Sequence, residues 1–366
     1  MKRIVLLSVS RLIGIAFLAA CEMTTAVAEQ DWWTMSDQAF AKAYADTAFS
    51  DDIDDQSTVA WMLFARLNQP QDYQGKTVST WELWPSNADT FNPALGDFVP
   101  QSKVRPRPHL EMTKFEQATG RFHTFPDSAG EERTRNMLSY RYIRGNGLIT
   151  KSGVNAYLSR GNTVDVPIGS VEVKADWSNN RVEGAYQFAD ETTGSIYSLL
   201  GLHIMAKLRP TPADPYTSED PSWFWTTFEF YGNPGLEHVQ TTLITYPDPL
   251  SNGARLLAEA GLDGTAFTNY SSNGTQIRFA DDANSKIVLG NTKMEDFAGF
   301  PNPDDPAGWT SFNSSCHTCH VTAAYSADQG KYFSFNPQIG TGELPRTLMK
   351  GYKSLDFIWS ISFNAR

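Results

Sequence analysis

The chain has 366 residues, of which 41% are hydrophobic, 13% aromatic and 19% charged. This composition excludes a disordered, collagen-like or coiled-coil protein and leaves room for one large domain or two. The formal net charge is -11 and no basic block offsets it, which argues against nucleic acid or an anionic membrane surface as the main ligand.

The first 28 residues have the features of a secretion signal. A basic start at Lys2 precedes an apolar run over residues 12–20 that is too short to cross a bilayer. Two cleavage sites compete: an A-x-A site after Ala28, and a lipoprotein-like box that would make Cys21 a lipidated first residue. We therefore predict export to the periplasm, with membrane contact only through a lipid anchor on Cys21.

Two amphipathic helices are predicted at the start of the mature chain. Residues 36–48 begin with the capping residue Ser36 and place apolar side chains at helical intervals. A second helix follows the acidic stretch 51–55 and ends before Pro70. The acidic stretch lacks the alternating ligands and the glycine of a calcium loop, so we interpret it as a solvated helix start. The proline-rich residues 99–110 are predicted to form an extended linker.

From about residue 135 the hydrophobic period changes from that of a helix to that of a strand. Apolar and polar residues alternate over 171–177 and 202–209, which predicts two strands, each with one buried face. The aromatic-rich run 223–230 predicts a third strand, and a short helix is expected near 254–260. The middle of the chain is therefore predicted to be rich in strands.

One short motif carries a specific chemistry. Cys316-His317-Thr318-Cys319-His320 matches the C-x-x-C-H attachment sequence of a c-type haem. Its two thiols, about one helical turn apart, can add to the two vinyl groups of haem, and the following imidazole can ligate the iron. We predict one covalent haem c on Cys316 and Cys319, with His320 as the proximal iron ligand.

Three other interpretations of the motif are weaker. A thioredoxin-like dithiol is expected early in a chain, between a strand and a helix, whereas this motif follows a proline-rich loop near the C-terminus. Structural zinc needs a fourth ligand and usually a second cysteine pair, and Cys21 is the only other cysteine. A disulfide across so short a loop would be strained and would stabilise little.

The sequence leaves the ligand on the other side of the iron open. Either His203, on the polar side of its strand, or Met349, the only methionine after the motif, could fill that position.

Lys174, His203 and Glu229 could instead share a pocket and move protons to a bound oxygen species or anion. The same polar faces could also be solvated, with isolated ion pairs. The chain after the motif is too short for a free-standing cytochrome domain, so we expect it to pack on the strand-rich core.

A set of ordered segments between residues 60 and 366 carries a family resemblance. The segments are AW at 60–61, LN at 67–68, TW at 80–81, WP at 84–85, GSVEVKADW at 169–177, GLHI at 201–204, WFWTTFE at 223–229, GNT at 290–292, the C-x-x-C-H motif and DFIWS at 356–360. Together they resemble exported bacterial cytochrome c proteins of largely uncharacterised function. The resemblance implies haem c and export, but no reaction.

The chain departs from the family pattern after Glu229. In the family this stretch usually continues with a histidine and then an aspartate–asparagine pair. Here Phe230 takes the histidine position and Gly232 the aspartate position. The role of that histidine in the relatives, as haem ligand, proton donor or substrate contact, is therefore not carried over to this chain.

We predict an α+β fold with N-terminal helices, a strand-rich core and a C-terminal c-type haem-binding segment. The predicted regions are a signal peptide (1–28), a helical and loop region (29–115), the core (116–300) and the haem segment (301–366). The leading function is periplasmic electron transfer or redox chemistry at one haem, with a redox protein as partner. Two alternatives remain: a peroxidase- or oxidase-like enzyme with an open distal site, and a binding protein with a structural or sensory haem whose Trp223 and Trp225 line a glycan or peptide groove.

Overall fold

The fold combines helices with antiparallel sheets, as the α+β prediction requires. The computed structural model describes residues 31–99, 129–190, 193–216, 221–233, 250–279, 289, 291, 293–294, 316–334 and 343–365. The predicted signal segment and residues 100–110 of the predicted linker lie outside these ranges. Within them, no helix is long and apolar enough to cross a membrane.

Eight α-helices occur in the described residues. They are α1 (Asp37–Ala48), α2 (Ile53–Leu67), α3 (Asn87–Phe91), α4 (Met137–Gly145), α5 (Lys151–Ser159), α6 (Leu250–Glu259), α7 (Cys316–Val321) and α8 (Trp359–Asn364).

The strands form one large sheet and two small ones. They are β1 (Pro70–Tyr73), β2 (Lys76–Ser79), β3 (Gly130–Arg135), β4 (Val171–Ser178), β5 (Gln187–Ala189), β6 (Ile196–Lys207), β7 (Trp223–Phe230), β8 (Tyr270–Gln276), β9 (Ala324–Ser326), β10 (Lys331–Tyr332) and β11 (Lys353–Ser354). The large sheet has the order β3-β4-β6-β7-β8, with β5 paired to β6. Every pair in it is antiparallel.

Local capping explains where the first two helices begin. The Ser36 hydroxyl accepts a hydrogen bond from the Ala39 backbone N–H at 3.2 Å, and the Asp52 carboxylate accepts one from the Asp54 N–H at 2.9 Å. These bonds satisfy backbone donors that a helix start leaves without partners. Both predicted helices are confirmed, and so is the predicted helix near 254–260. That helix ends before Gly261, a residue in the left-handed conformation with φ +72°.

One face of the large sheet packs against helices α1, α2 and α6 to form an apolar core. The aromatic ring of Phe64 in α2 stacks on that of Phe228 in β7, with 4.1 Å between ring centroids. Trp61 contacts the same ring edge-on at 4.9 Å. These contacts bury the apolar residues of the alternating strand patterns, and the three predicted strands are confirmed as β4, β6 and β7.

The opposite face of the sheet is covered as well, so of the two interpretations of the polar strand faces, the solvated one is wrong. Asp176, Lys207 and Glu229 are all fully buried on this face. A second apolar cluster joins Trp225 in β7 to Phe357 near the C-terminus, with their rings 5.6 Å apart. Residues after 316 thus form part of the cover over the polar side of the sheet.

The predicted change to a strand-like period at residue 135 is wrong for the next 25 residues, which contain α4 and α5. Asn136 caps α4 by accepting a hydrogen bond from the Ser139 N–H at 3.2 Å. Thr150 caps α5 by accepting one from the Gly153 N–H at 3.1 Å. Strand β3, which precedes α4, was also not predicted.

Candidate functional site

A cavity between the large sheet and the C-terminal helices brings the predicted site residues together. Its empty volume, including the part that opens to solvent, is about 860 Å³. Helix α7 contributes Cys316, Cys319 and His320 to its lining, and the sheet contributes Lys174 and His203. Residues that are far apart in sequence therefore face one space.

The two cysteines of the motif lie one helical turn apart on α7. A separation of three residues places both side chains on nearly the same side of a helix. Both thiols are half-buried and line the cavity, and no disulfide joins them. The two thiols therefore lie side by side at one cavity.

A backbone carbonyl fixes the orientation of the His320 ring. The Nδ1 atom of His320 lies 2.8 Å from the carbonyl oxygen of Phe357. Because a carbonyl can only accept a hydrogen bond, Nδ1 must carry the proton. The other ring nitrogen, Nε2, then has the lone pair that a metal ion requires.

Two more hydrogen bonds connect the C-terminal segment to the motif helix and to the residues just after it. The Leu355 N–H donates to the Ala323 carbonyl at 2.8 Å, and the indole N–H of Trp359 donates to the Cys319 carbonyl at 2.9 Å. Sequence reasoning missed the roles of Phe357 and Trp359. The DFIWS stretch was noticed only as part of the family resemblance.

The second residue of the motif, His317, has a structural environment. Its ring is buried among the aromatic rings of Trp225, Phe279 and Phe357, whose centroids lie 4.3 to 5.0 Å away. Burial lowers the pKa of His317 to about 3, so the ring is neutral at physiological pH. In the described part of the chain neither of its ring nitrogens has a hydrogen-bond partner.

A row of basic side chains crosses the sheet beside the motif. Arg133 pairs in register with Lys174, and Lys174 pairs with His203. All three side chains line the cavity. The buried carboxylate of Glu131 forms ion pairs with Arg133 and with Lys174, the latter at 3.2 Å. The cavity thus has a polar end on β3, β4 and β6.

Glu229, predicted to act with Lys174 and His203, lies elsewhere on the same sheet face. Its carboxylate accepts hydrogen bonds from the side-chain amides of Asn233 at 3.1 Å and Asn273 at 2.7 Å. Glu229 does not belong to the described lining of the cavity.

The two methionines near the site have different positions. Met349, predicted as a distal ligand, is only 3% exposed and belongs to the apolar cluster beneath the C-terminal segment. It does not line the described cavity, whereas Met205 on β6 does. Met205 was one of the candidate methionines in the sequence but was not chosen, although its alternation with His203 in the strand places both side chains on one face.

Trp223 and Trp225, which were predicted to line a glycan or peptide groove, are both buried. Trp223 is fully buried and donates its indole N–H to Asp356 at 3.0 Å. Trp225 is 4% exposed and lines the cavity, with its ring 6.0 Å from that of His320.

Phe230 and Gly232 depend on each other in space. The Phe230 ring is buried and packs edge-on against Tyr270, with 6.0 Å between ring centroids. A Cβ atom at Gly232 would lie only 2.5 Å from the Phe230 ring. An aspartate at position 232 would therefore collide with the Phe230 ring.

Comparisons with models of known protein families, with curated proteins and with solved structures find no match to this chain. The family resemblance of the sequence therefore remains a prediction.

Proposed function

We propose that this protein is an exported c-type cytochrome that binds one haem covalently and acts in periplasmic electron transfer or redox chemistry. Cys316 and Cys319 would form the two thioether bonds, and His320 would be the proximal iron ligand. One observation carries the proposal: both thiols and this imidazole line a single cavity. A redox protein in the same compartment would be the partner.

The residues around the cavity fit a haem in their chemistry. Trp225, Leu289, Trp359 and Phe363 give the lining an apolar part that suits a macrocycle. When bound, a haem supplies one-electron chemistry.

The chain's own residues would control the surroundings of the iron ligand. Phe357 holds the proton of His320 on Nδ1 through its carbonyl oxygen. Trp225 lines the cavity and packs against Phe357, and because both rings are almost fully buried they limit water on that side of His320. Hydrogen bonding and exclusion of water near a haem ligand are two of the means by which proteins set its reduction potential.

Covalent attachment is the direct test of the proposal. The full-length chain would be produced in a bacterium that can attach haem c, denatured with reductant, and examined for haem that stays with the polypeptide by absorbance and mass. We expect retention in the wild type and in Thr318→Ser, which keeps the C-x-x-C-H pattern. We expect no covalent haem when Cys316 and Cys319 are both replaced by serine. Release of all haem from the denatured wild type would overturn the proposal.

A second candidate function, a haem enzyme with an open distal site, is favoured by the basic row in the cavity. Arg133, Lys174 and His203 line the same space as the motif and could bind and protonate an oxygen species or an anion. An electron carrier is expected to place two strong protein ligands on the iron, whereas an enzyme leaves one position open. Rapid binding of carbon monoxide to the reduced protein would support the enzyme, and absence of binding would support the carrier.

A further inference from the structure

Asp356 lies at the centre of a buried polar cluster next to the segment that holds His320. Its side chain is fully buried, and its carboxylate accepts four hydrogen bonds. The donors are the Lys207 ammonium at 2.6 Å, the Thr211 hydroxyl at 2.5 Å, the Trp223 indole N–H at 3.0 Å and the Val166 backbone N–H at 2.7 Å. One carboxylate thus accepts hydrogen bonds from strands β6 and β7, from the segment after β6 and from the loop before β4.

The backbone at this point has an unusual conformation. Asp356 has φ +54° and Phe357 has φ +64°, so two consecutive residues with side chains lie in the left-handed region. Aspartate enters this region more readily than most residues, but for phenylalanine it is rare. Such a turn persists only where its surroundings hold it in place. The four hydrogen bonds to the Asp356 carboxylate hold the first residue of this turn in place.

The turn has a direct consequence for the motif. The carbonyl of Phe357, the second residue of the turn, accepts the hydrogen bond from Nδ1 of His320 at 2.8 Å. A metal-binding histidine that donates its other N–H to a carbonyl is fixed in orientation and becomes a more basic ligand. The position of Asp356 is therefore linked, through one residue of backbone, to the donor strength of His320.

We propose that Asp356 is a positioning residue for His320 and that its cluster with Lys207, Thr211 and Trp223 sets the reduction potential of the haem site. The inference rests on the proposed function, because it assigns His320 to the iron. Asp356 itself does not line the described cavity. It acts through the Phe357 carbonyl, and weakening its cluster should loosen the hydrogen bond to Nδ1. A less basic ligand favours reduced iron, so the potential should become more positive.

The test compares three variants of the haem-bearing full chain by redox titration followed in the visible spectrum. Asp356→Asn keeps the size of the side chain but removes the charge that pairs with Lys207. Thr211→Val deletes one hydroxyl donor and is the milder change. Asp165→Asn is the matched control, because Asp165 pairs with the same Lys207 from a side chain that is 51% exposed.

We expect equal covalent haem in all three variants, a clear positive shift of the potential in Asp356→Asn, a smaller one in Thr211→Val and none in Asp165→Asn. If Asp356→Asn does not fold, the shift of the reduction potential in Thr211→Val decides whether the inference holds. Unchanged potentials in the folded variants, with only a lower unfolding midpoint, would show a merely structural role and overturn the inference alone. A wild-type chain without covalent haem would overturn the proposed function and the inference together.

Discussion

Lys174 on β4 lies directly opposite His203 on β6, and both side chains line the cavity that contains the C-x-x-C-H motif. Antiparallel pairing places side chains of opposite residues on the same face at close range. The two residues are therefore held side by side by the sheet and not by loops. A rigid support of this kind is suited to groups that must keep a fixed distance from a cofactor or substrate.

The choice between His203 and Met349 as distal group can be tested by substitution. His203 lines the cavity, whereas Met349 packs in the apolar cluster and does not line it. We expect His203→Ala to change the absorption spectrum of the haem-bearing protein or its affinity for carbon monoxide. Met349→Leu should leave both unchanged and cost less than about 1.5 kcal/mol of stability, because it nearly conserves volume.

The same measurements on Met205→Leu complete the comparison, since Met205 also lines the cavity. A spectral change in Met349→Leu together with a wild-type spectrum in His203→Ala would contradict this placement of the distal side.

The sequence predicted the features that depend on near neighbours in the chain. The caps Ser36 and Asp52 and the alternation over 171–177 each act within a few residues, and the corresponding elements are confirmed. Helices α4 and α5 have only nine residues each, and their capping residues were the only clear local signal. Propensity is a weak guide for such short helices because tertiary packing stabilises them.

The cover over the polar sheet face could not be predicted in the same way. A period of two shows which residues share a face, but not which distant segment covers that face. The same limit applies within the site. The C-x-x-C-H motif is local, whereas the acceptor for His320 is a backbone oxygen of Phe357, an atom that every residue type possesses.

His317 offers a test of which histidine in the motif is required. Its neutral ring is fully enclosed by aromatic side chains, and in the described residues its nitrogens have no partners. A buried polar group without a hydrogen bond costs about 1–3 kcal/mol. We therefore expect His317→Leu to keep covalent haem and to unfold at the same or a higher denaturant concentration. The matched change His320→Leu should alter the haem spectrum strongly. Loss of the wild-type spectrum in both variants would assign His317 a role at the iron.

The contact between α6 and α2 depends on a glycine. A Cβ atom at Gly253 would lie 2.4 Å from the indole ring of Trp61, which is buried in the core. We expect Gly253→Ala to reduce the free energy of unfolding by about 1–3 kcal/mol, because the well-packed rings around Trp61 must shift. Gly145→Ala in α4 is the control, since nothing lies within 4 Å of a Cβ at that position. It should be neutral or stabilising by about 0.4–1 kcal/mol. Equal effects of the two substitutions in urea titrations would refute the packing explanation.

Asp165 should contribute a pH-dependent part of the stability. Burial acts to raise the pKa of Asp165, but the hydrogen bond and charge of Lys207 outweigh it and hold the pKa below its ordinary value. A carboxyl whose pKa is lower in the folded than in the unfolded state stabilises the fold above its unfolded pKa, and this stabilisation is lost as the pH falls through the folded pKa. Because the side chain is half exposed, we expect Asp165→Asn to cost no more than about 1 kcal/mol at pH 7.

The difference between Asp165→Asn and the wild type should then shrink toward zero in urea titrations carried out at decreasing pH below 4. Asp46→Asn is the control, because Asp46 pairs with Arg209 from a side chain that is 99% exposed. It should change the free energy of unfolding by less than Asp165→Asn at pH 7. A difference for Asp165→Asn that stays constant down to acid pH would mean that Lys207 does not stabilise the ionised form of Asp165.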